Sequence, residues 1–174
     1  MELMNLLLER RSIRQYTGEP VPREQLEQIL QAGLLSPSGR NIRPWEFVVV
    51  ENKETLARLA ASRQSGAQML ENAGCAILVF ANREKTDVWP EDCSIAMSNM
   101  HLMAHSLGLG SCWVQGRLRQ AQNGKTTEEV CRELLFVSEQ YALEAILAVG
   151  APAQRPAPHT TGELLREKLH WERF

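Results

Sequence analysis

"EDCSIAMSNMHLMAHSLG", residues 91–108, reads as one helix that is apolar on nearly every face. A helix at the surface of a small domain shows one apolar stripe and a polar back, so all-round apolarity implies burial against several elements or against a second subunit. Gly108 and Gly110 mark its end. The segments it would cover lie on either side. "CAILVFA" (75–81) and "ALEAILAVG" (142–150) are long apolar strands, and "WEFVVVE" (45–51) is a buried strand by its consecutive valines. "SCWVQG", after the helix, is a short strand or an extended loop. Helices alternate with these: residues 2–9, "PREQLEQILQAGLLS" with Pro22 in its first turn and Leu26, Ile29, Leu30 and Leu34 at helical spacing, "KETLARLAA" (53–61), and the capped "TTEEVCRELL". There is no internal repeat.

At 174 residues one domain, 1–174, is expected, large enough to bury a full core without disulfides or metals. Forty-four per cent apolar and 23 per cent charged residues are globular values. A formal net charge of −2 argues against nucleic acid or an anionic membrane surface as the main partner. No apolar stretch approaches the roughly 20 residues that cross a bilayer. Cys75, Cys93, Cys112 and Cys131 lie far apart, without a C-x-x-C pair or zinc-ligand spacing, and read as free thiols. With no signal-peptide pattern at the start, the cytoplasm is the expected compartment.

Three polar stretches interrupt this pattern. "RRSIR" places Arg10, Arg11 and Arg14 around Ser12. Such a cluster is either a solvated helix C-terminus, where arginines meet the macrodipole, or a small-anion site. "SPSGRNIRPWEF" (36–47) packs Pro37, Ser38, Gly39 and Asn41 into a turn that enters a buried strand; it is a plain connection or a ligand-binding loop. "GLGSCWVQGR" (108–117) has two glycines that let a backbone approach a ligand. It is not a G-x-G-x-x-G turn, since Trp113 stands where the third glycine belongs and a helix precedes it, so a Rossmann dinucleotide site is not expected. His101 and His105 have the i, i+4 spacing of helical metal ligands but lack the intervening Glu and a third ligand, so no metal is implied. Ser12 and Ser38 have no evident His–Asp partner for hydrolase chemistry. The four tryptophans read as packing, with Trp113 the one placed near a ligand.

Taken together, "RRSIRQY", "PSGRNIRPWEF", the helix motif Asp92, Ala96, Asn99 running into "GLGSCW", and then "AVGAP" resemble the nitroreductase family of flavin enzymes, in order and over almost the whole chain. The resemblance implies an α+β fold, a mainly antiparallel sheet wrapped by helices, and an intertwined homodimer with two FMN sites at its interface. It matches Arg10, Ser12 and Arg14 to ligands of the FMN phosphate and ribityl chain, with Arg11 a variable basic position beside them. It matches Pro37, Ser38, Gly39 and Asn41 to a loop that reaches the flavin of the partner chain, and Val114, Gln115 and Gly116 to the segment near the flavin ring edge. Gln68 matches a position at the pyrimidine or ribityl end. The arginines then form a phosphate clamp, because a near-dianionic phosphate takes forked guanidinium donors.

The chain also departs from the family's pattern. Arg43 stands where many members have Gln, which puts a cation near the substrate mouth, and Gln115 replaces a common acid. The usual C-terminal phosphate ligand is Arg155, Arg166 or Lys168, with no ground to choose among them. The tail from about 152 to 174 ends in an amphipathic segment expected to pack on the partner chain. The implied function is hydride transfer from NADH or NADPH through FMN to an electron-poor small molecule such as a nitroaromatic or quinone, by a ping-pong sequence in which no catalytic side chain is singled out. The alternatives are an FMN-binding sensor or carrier without turnover, and a specialised member such as a reductive dehalogenase, a flavin-fragmenting enzyme or an azoline dehydrogenase.

Overall fold

The structure is a computed structural model that describes residues 2–174. Long apolar runs become the inner strands of one sheet. β1 (Trp45–Val50), β2 (Cys75–Asn82), β3 (Gly110–Gln115) and β4 (Tyr141–Gly150) stand in the order β1-β2-β4-β3, every pair antiparallel. β2 and β4 are central and buried on both faces, which is why they read as continuous apolar sequence rather than as alternation. β3, a short strand with the polar residues Ser111 and Gln115, lies at the sheet's edge.

Helices cover both faces. α2 (Arg23–Leu34) and α4 (Trp89–Ser106) pack on one, where Leu26, Ile29, Met97 and Met100 meet Ile77, Val79, Ala145 and Leu147. α3 (Lys53–Ala60) and α5 (Thr127–Leu135) pack on the other, where Leu56, Leu59 and Cys131 meet Leu78, Phe80, Leu143 and Ile146. Each fully buried aliphatic side chain contributes roughly 1.5–3 kcal/mol by its removal from water. Asn52 caps α3, and Thr126 and Glu129 form a capping box on α5, as the threonine pair in the sequence predicts. α1 (Leu3–Glu9) is short and lies against α4. All four cysteines are free and buried.

Two details of the frame position the polar segments. Between Val79 and Phe80 the β2–β4 register slips by one, so Glu144 has no partner on β2 and bulges. α4 ends in a Schellman arrangement: Leu109 N–H donates to Ala104 O (2.9 Å) and Gly108 N–H to His105 O (2.9 Å), with Gly108 at φ +79°. Gly108 therefore terminates a helix. Gly110, the other glycine expected to admit a ligand, is small for a different reason: an added Cβ would stand 2.8 Å from three side-chain atoms of Ile13.

No helix among the described residues is long and apolar enough to cross a membrane. The segment after Pro152 forms two short 3-10 turns, Thr161–Glu163 and Arg166–Lys168, and residues 153–174 are exposed throughout.

Candidate functional site

The arginine segment leaves α1 and runs along the free edge of β3. Ile13 N–H donates to Ser111 O (2.9 Å), and Ser12 bridges Ser111 in parallel. Further on, Thr17 N–H donates to Ala151 O and Ala153 N–H to Gln15 O. Tyr16 fastens the segment to the core: its buried hydroxyl lies 2.7 Å from Ile13 O and 3.2 Å from Ala148 O. Burial pushes that phenol's pKa above its ordinary value. Arg10 is partly buried, and burial followed by the neighbouring Arg11 charge lowers its pKa. Among the described residues no carboxylate lies within 4.0 Å of Arg10, Arg11 or Arg14. Three guanidinium groups with no carboxylate in ion-pair contact, on the segment that carries Ser12, make a donor set that fits a terminal phosphate.

One arginine is held in a way the sequence does not announce. Arg10 Nη1 lies 3.0 Å from His101 Nε2, and the opposite ring nitrogen, Nδ1, meets the hydroxyl of the buried Ser111. The pair His101 and His105 thus serves two different partners, since His105 faces Glu9 at 3.8 Å. The C-terminal stretch of chain crosses the same place. Arg11 donates to Ala157 O, Arg155 donates to Gly108 O, and His159 N–H donates to Leu8 O (2.9 Å). A concavity of about 440 Å³ opens there, lined by Glu9, Arg11, Ile13, His105 and Arg155. Of the three basic residues left open by the sequence, Arg155 stands beside the arginine cluster; Arg166 and Lys168 lie in the exposed tail.

The 36–44 loop is anchored by α4. Gly39 N–H donates to Asp92 Oδ1 (2.8 Å), and Asn99 Nδ2 donates to Ser36 Oγ (2.8 Å), so both polar residues of the Asp92, Ala96, Asn99 stripe hold this loop. The left-handed backbone that a glycine would adopt most easily falls not on Gly39 but on Arg40 (φ 53°), Asn41 (φ 56°) and Arg43 (φ 52°). Gly39 is small because an added Cβ would come within 3.1 Å of Val88 Cγ2. Three left-handed non-glycine residues in a row of four are costly and persist where surroundings over-determine them, as binding loops often do. Arg43 is the hub: its N–H donates to Ser38 Oγ (2.9 Å) and its Nε to Asn41 Oδ1 (2.8 Å). Ser38 keeps its own O–H to donate, and Asn41 keeps its NH2 group.

At the far end of β3, Gly116 N–H and Arg117 N–H both donate to Glu144 O (3.2 and 2.9 Å). Antiparallel ladder bonds alternate, so the main chain of Val114 and Gly116 turns toward β4 and that of Trp113 and Gln115 toward the free edge. The Gly116 amide is thus committed to β4, and its missing side chain makes room for Leu143 Cδ2, 2.6 Å from an added Cβ. The Gln115 side chain accepts from Trp113 Nε1 (2.8 Å) and donates to Arg117 O (3.2 Å). Val114 is fully buried. Nearby lies Glu144, 5 per cent exposed, with Oε2 unpartnered, and burial raises its pKa despite the Arg117 charge. Gln68 opens the 3-10 turn Gln68–Asn72, its Oε1 accepting from Gly66 N–H (2.9 Å).

The edge of β3 therefore carries guanidinium donors at one end and the Gln115 amide at the other, about 13 Å away at roughly 3.3 Å per residue from Ser111. This donor arrangement along a sheet edge has the chemistry to take an anionic, elongated ligand. The comparisons agree on the class of protein. The nitroreductase family model matches residues 7–65 and 61–151, so the chain belongs to the nitroreductase family. An FMN-dependent nitroreductase from Clostridium difficile R20291 superposes with a TM-score of 0.96 at 41% identity, covering 99% of this chain and 100% of that one. A relative from Archaeoglobus fulgidus, provisionally named NADH dehydrogenase/NAD(P)H nitroreductase, is 36% identical over 87% of this chain and 86% of its own length. A Desulfovibrio desulfuricans protein solved in complex with FMN has a TM-score of 0.80 at 31% identity, covering 100% of this chain and 98% of that one. The antiparallel sheet wrapped by helices is the expected fold.

Proposed function

We propose that this chain is an FMN-dependent oxidoreductase that takes hydride from NADH or NADPH and delivers reducing equivalents to an electron-poor small molecule, a nitroaromatic, quinone or similar, in a ping-pong sequence. The observation that carries this reading is the cluster of Arg10, Arg11 and Arg14, free of close ion pairs among the described residues, with Ser12 on the edge of β3. The FMN dependence and the nicotinamide in the names of relatives at 41% and 36% identity support it. Bound FMN supplies the redox chemistry, and the chain supplies binding, electrostatics and exclusion of side reactions.

In this reading Arg10, Ser12 and Arg14 hold the terminal phosphate through charge-assisted bonds, Arg11 adds positive charge, and Arg155 is the C-terminal basic residue best placed to join them. Of the 114–116 segment, the Gln115 N–H is the donor directed at the ring. Ser38 O–H and Asn41 NH2, with Pro37 and Gly39 shaping their loop, face the site of a partner chain in a homodimer, and Gln68 serves the pyrimidine or ribityl end. Arg43, locked by Ser38 and Asn41, orients its remaining guanidinium donors toward the acceptor. Two substrates occupy one place in turn, which requires only that the mouth reopen between half-reactions.

The test is direct. Purified protein should carry about one FMN per chain, identified after release, lose its yellow colour anaerobically with NADH or NADPH, and regain it with a nitroaromatic. Released FAD, or no flavin uptake from excess FMN, overturns the cofactor assignment; a yellow protein inert to both nicotinamides overturns the enzyme assignment and leaves a flavin carrier.

A further inference from the structure

The contact between Arg10 and His101 fixes more than a position. Arginine is donor-only, so at 3.0 Å from Arg10 Nη1 the His101 Nε2 must be the acceptor and carries no proton. A neutral imidazole then holds its single proton on Nδ1, where the Ser111 hydroxyl oxygen accepts it. Ser111 in turn accepts Ile13 N–H at its carbonyl (2.9 Å) and pairs with Ser12. The arginine segment is thus tied to one residue of β3 twice: through its main chain at Ile13, and through the Arg10 side chain by way of a histidine 91 positions further along the sequence.

We propose that His101 is a positioning residue for the phosphate end of the site: as the neutral, Nδ1-protonated tautomer that the Arg10 donor selects and the Ser111 hydroxyl accommodates, it accepts one hydrogen bond from Arg10 and aims the remaining guanidinium donors at the anion. The inference rests on the FMN reading of the arginine cluster. An imidazolium would turn a second N–H toward a guanidinium, and every other group around the ring opposes that change or leaves it unaided. Arg10 faces it, with Arg11 beside Arg10 and Arg14 near Cys112; His105 lies one turn along α4; Ser111 and Cys112 stand on β3; Arg155 and the Glu9 carboxylate face His105, and the Glu163 carboxylate lies near Arg11. Burial first, then Arg10 and His105, push the His101 pKa down to about 4. At neutral pH the ring is therefore an acceptor toward Arg10 throughout.

Titration with FMN and with riboflavin, which lacks the phosphate, separates this role from general loss of structure. His101→Leu should weaken FMN about 10-fold, in line with a lost hydrogen bond to a charged group, and leave riboflavin affinity within about twofold. His101→Gln, which can accept from Arg10 and donate to Ser111, should restore FMN binding. In an Arg10→Ala background His101→Leu should have no further effect. Side-chain 15N shifts of the wild-type protein should report an unprotonated Nε2 and a protonated Nδ1 at pH 7, Arg10→Ala should mix the tautomers, and Ser111→Ala, which removes the acceptor that orients the ring, should weaken FMN even if His101→Leu does not fold. An Nε2-protonated ring, or equal losses from His101→Leu with and without Arg10, overturns the inference alone. An Arg10→Ala variant with unchanged FMN affinity overturns the phosphate clamp and the inference with it.

Discussion

Arg14 differs from Arg10 in having no side-chain partner among the described residues and in being exposed, so its donors are free for a ligand. Arg14→Ala should weaken FMN about 10- to 100-fold, the effect of losing a charge-assisted bond, and leave the melting temperature unchanged; isothermal titration and a thermal scan check both halves. Glu144 is the opposite case, a carboxyl that the fold burdens. Its folded pKa is raised by burial, so the protonated form is favoured in the native state: any stability this brings is present below the ordinary carboxyl pKa and is lost as pH rises through the folded value. Glu144→Gln should therefore match the wild type near pH 4 and melt at a higher temperature at pH 7–8. A variant that is less stable at pH 8 would mean that the Arg117 attraction outweighs desolvation. The roles of His101 and Glu144 are not legible in the sequence for one reason. Each owes its character to groups distant in the chain, Arg10 and Ser111 for the first, and Arg117 with a register slip for the second.

Elements are legible where the local sequence carries its own reason. β2 and β4 announce themselves by uninterrupted apolar residues, α5 by its capping threonine and α4 by the breadth of its apolar surface. β3 is ambiguous between strand and loop because six residues of mixed polarity become a strand only when β4 supplies the ladder. The glycines at its start have packing roles: Gly108 closes a helix and Gly110, the first residue of β3, admits Ile13, a contact that no local pattern encodes. That packing yields a prediction at this scale. Gly110→Ala puts a methyl group 2.8 Å from Ile13 Cβ, an atom that cannot swing away, so the arginine segment and β3 must separate. The cost should be about 1–3 kcal/mol of stability, as for other overpacked sites. FMN affinity should fall in parallel, because Ser12 and Arg10 lose their register against Ser111; denaturant melts and flavin titration together check this, and a destabilised variant with wild-type FMN affinity would break the link between edge packing and clamp.

At the scale of the molecule, α4 presents two separate anchorages. Asp92 holds the 38–43 loop and His101 holds the arginine segment, nine residues apart and so about 14 Å along the helix axis. In a shared site the loop of one chain would meet the clamp of another. Surface chemistry favours the same arrangement. One stripe of α4 is buried on the sheet, but Ile95 is exposed, as are Leu3, Met4 and Leu7 of α1 and Leu34 and Leu35 at the end of α2. Leu6, Leu35, Leu102 and Met103 line a groove of about 250 Å³ between them. The tail adds Leu164, Leu165, Leu169, Trp171 at 87 per cent exposure and Phe174, an apolar set larger than a lone chain end leaves in water. We infer a homodimer with shared sites, which complementation tests. A chain with Arg10→Ala and Arg14→Ala loses the clamp, and a chain with Ser38→Ala and Asn41→Ala loses the loop. Each alone should bind FMN weakly. Co-refolded, half of the sites in every heterodimer gather both lesions and the other half gather none, so tight FMN binding should reappear in the mixture at up to one site per heterodimer. Sites contained within single chains would give a mixture no better than its parents, and the shared-site arrangement would then be wrong even if the protein were dimeric by sedimentation.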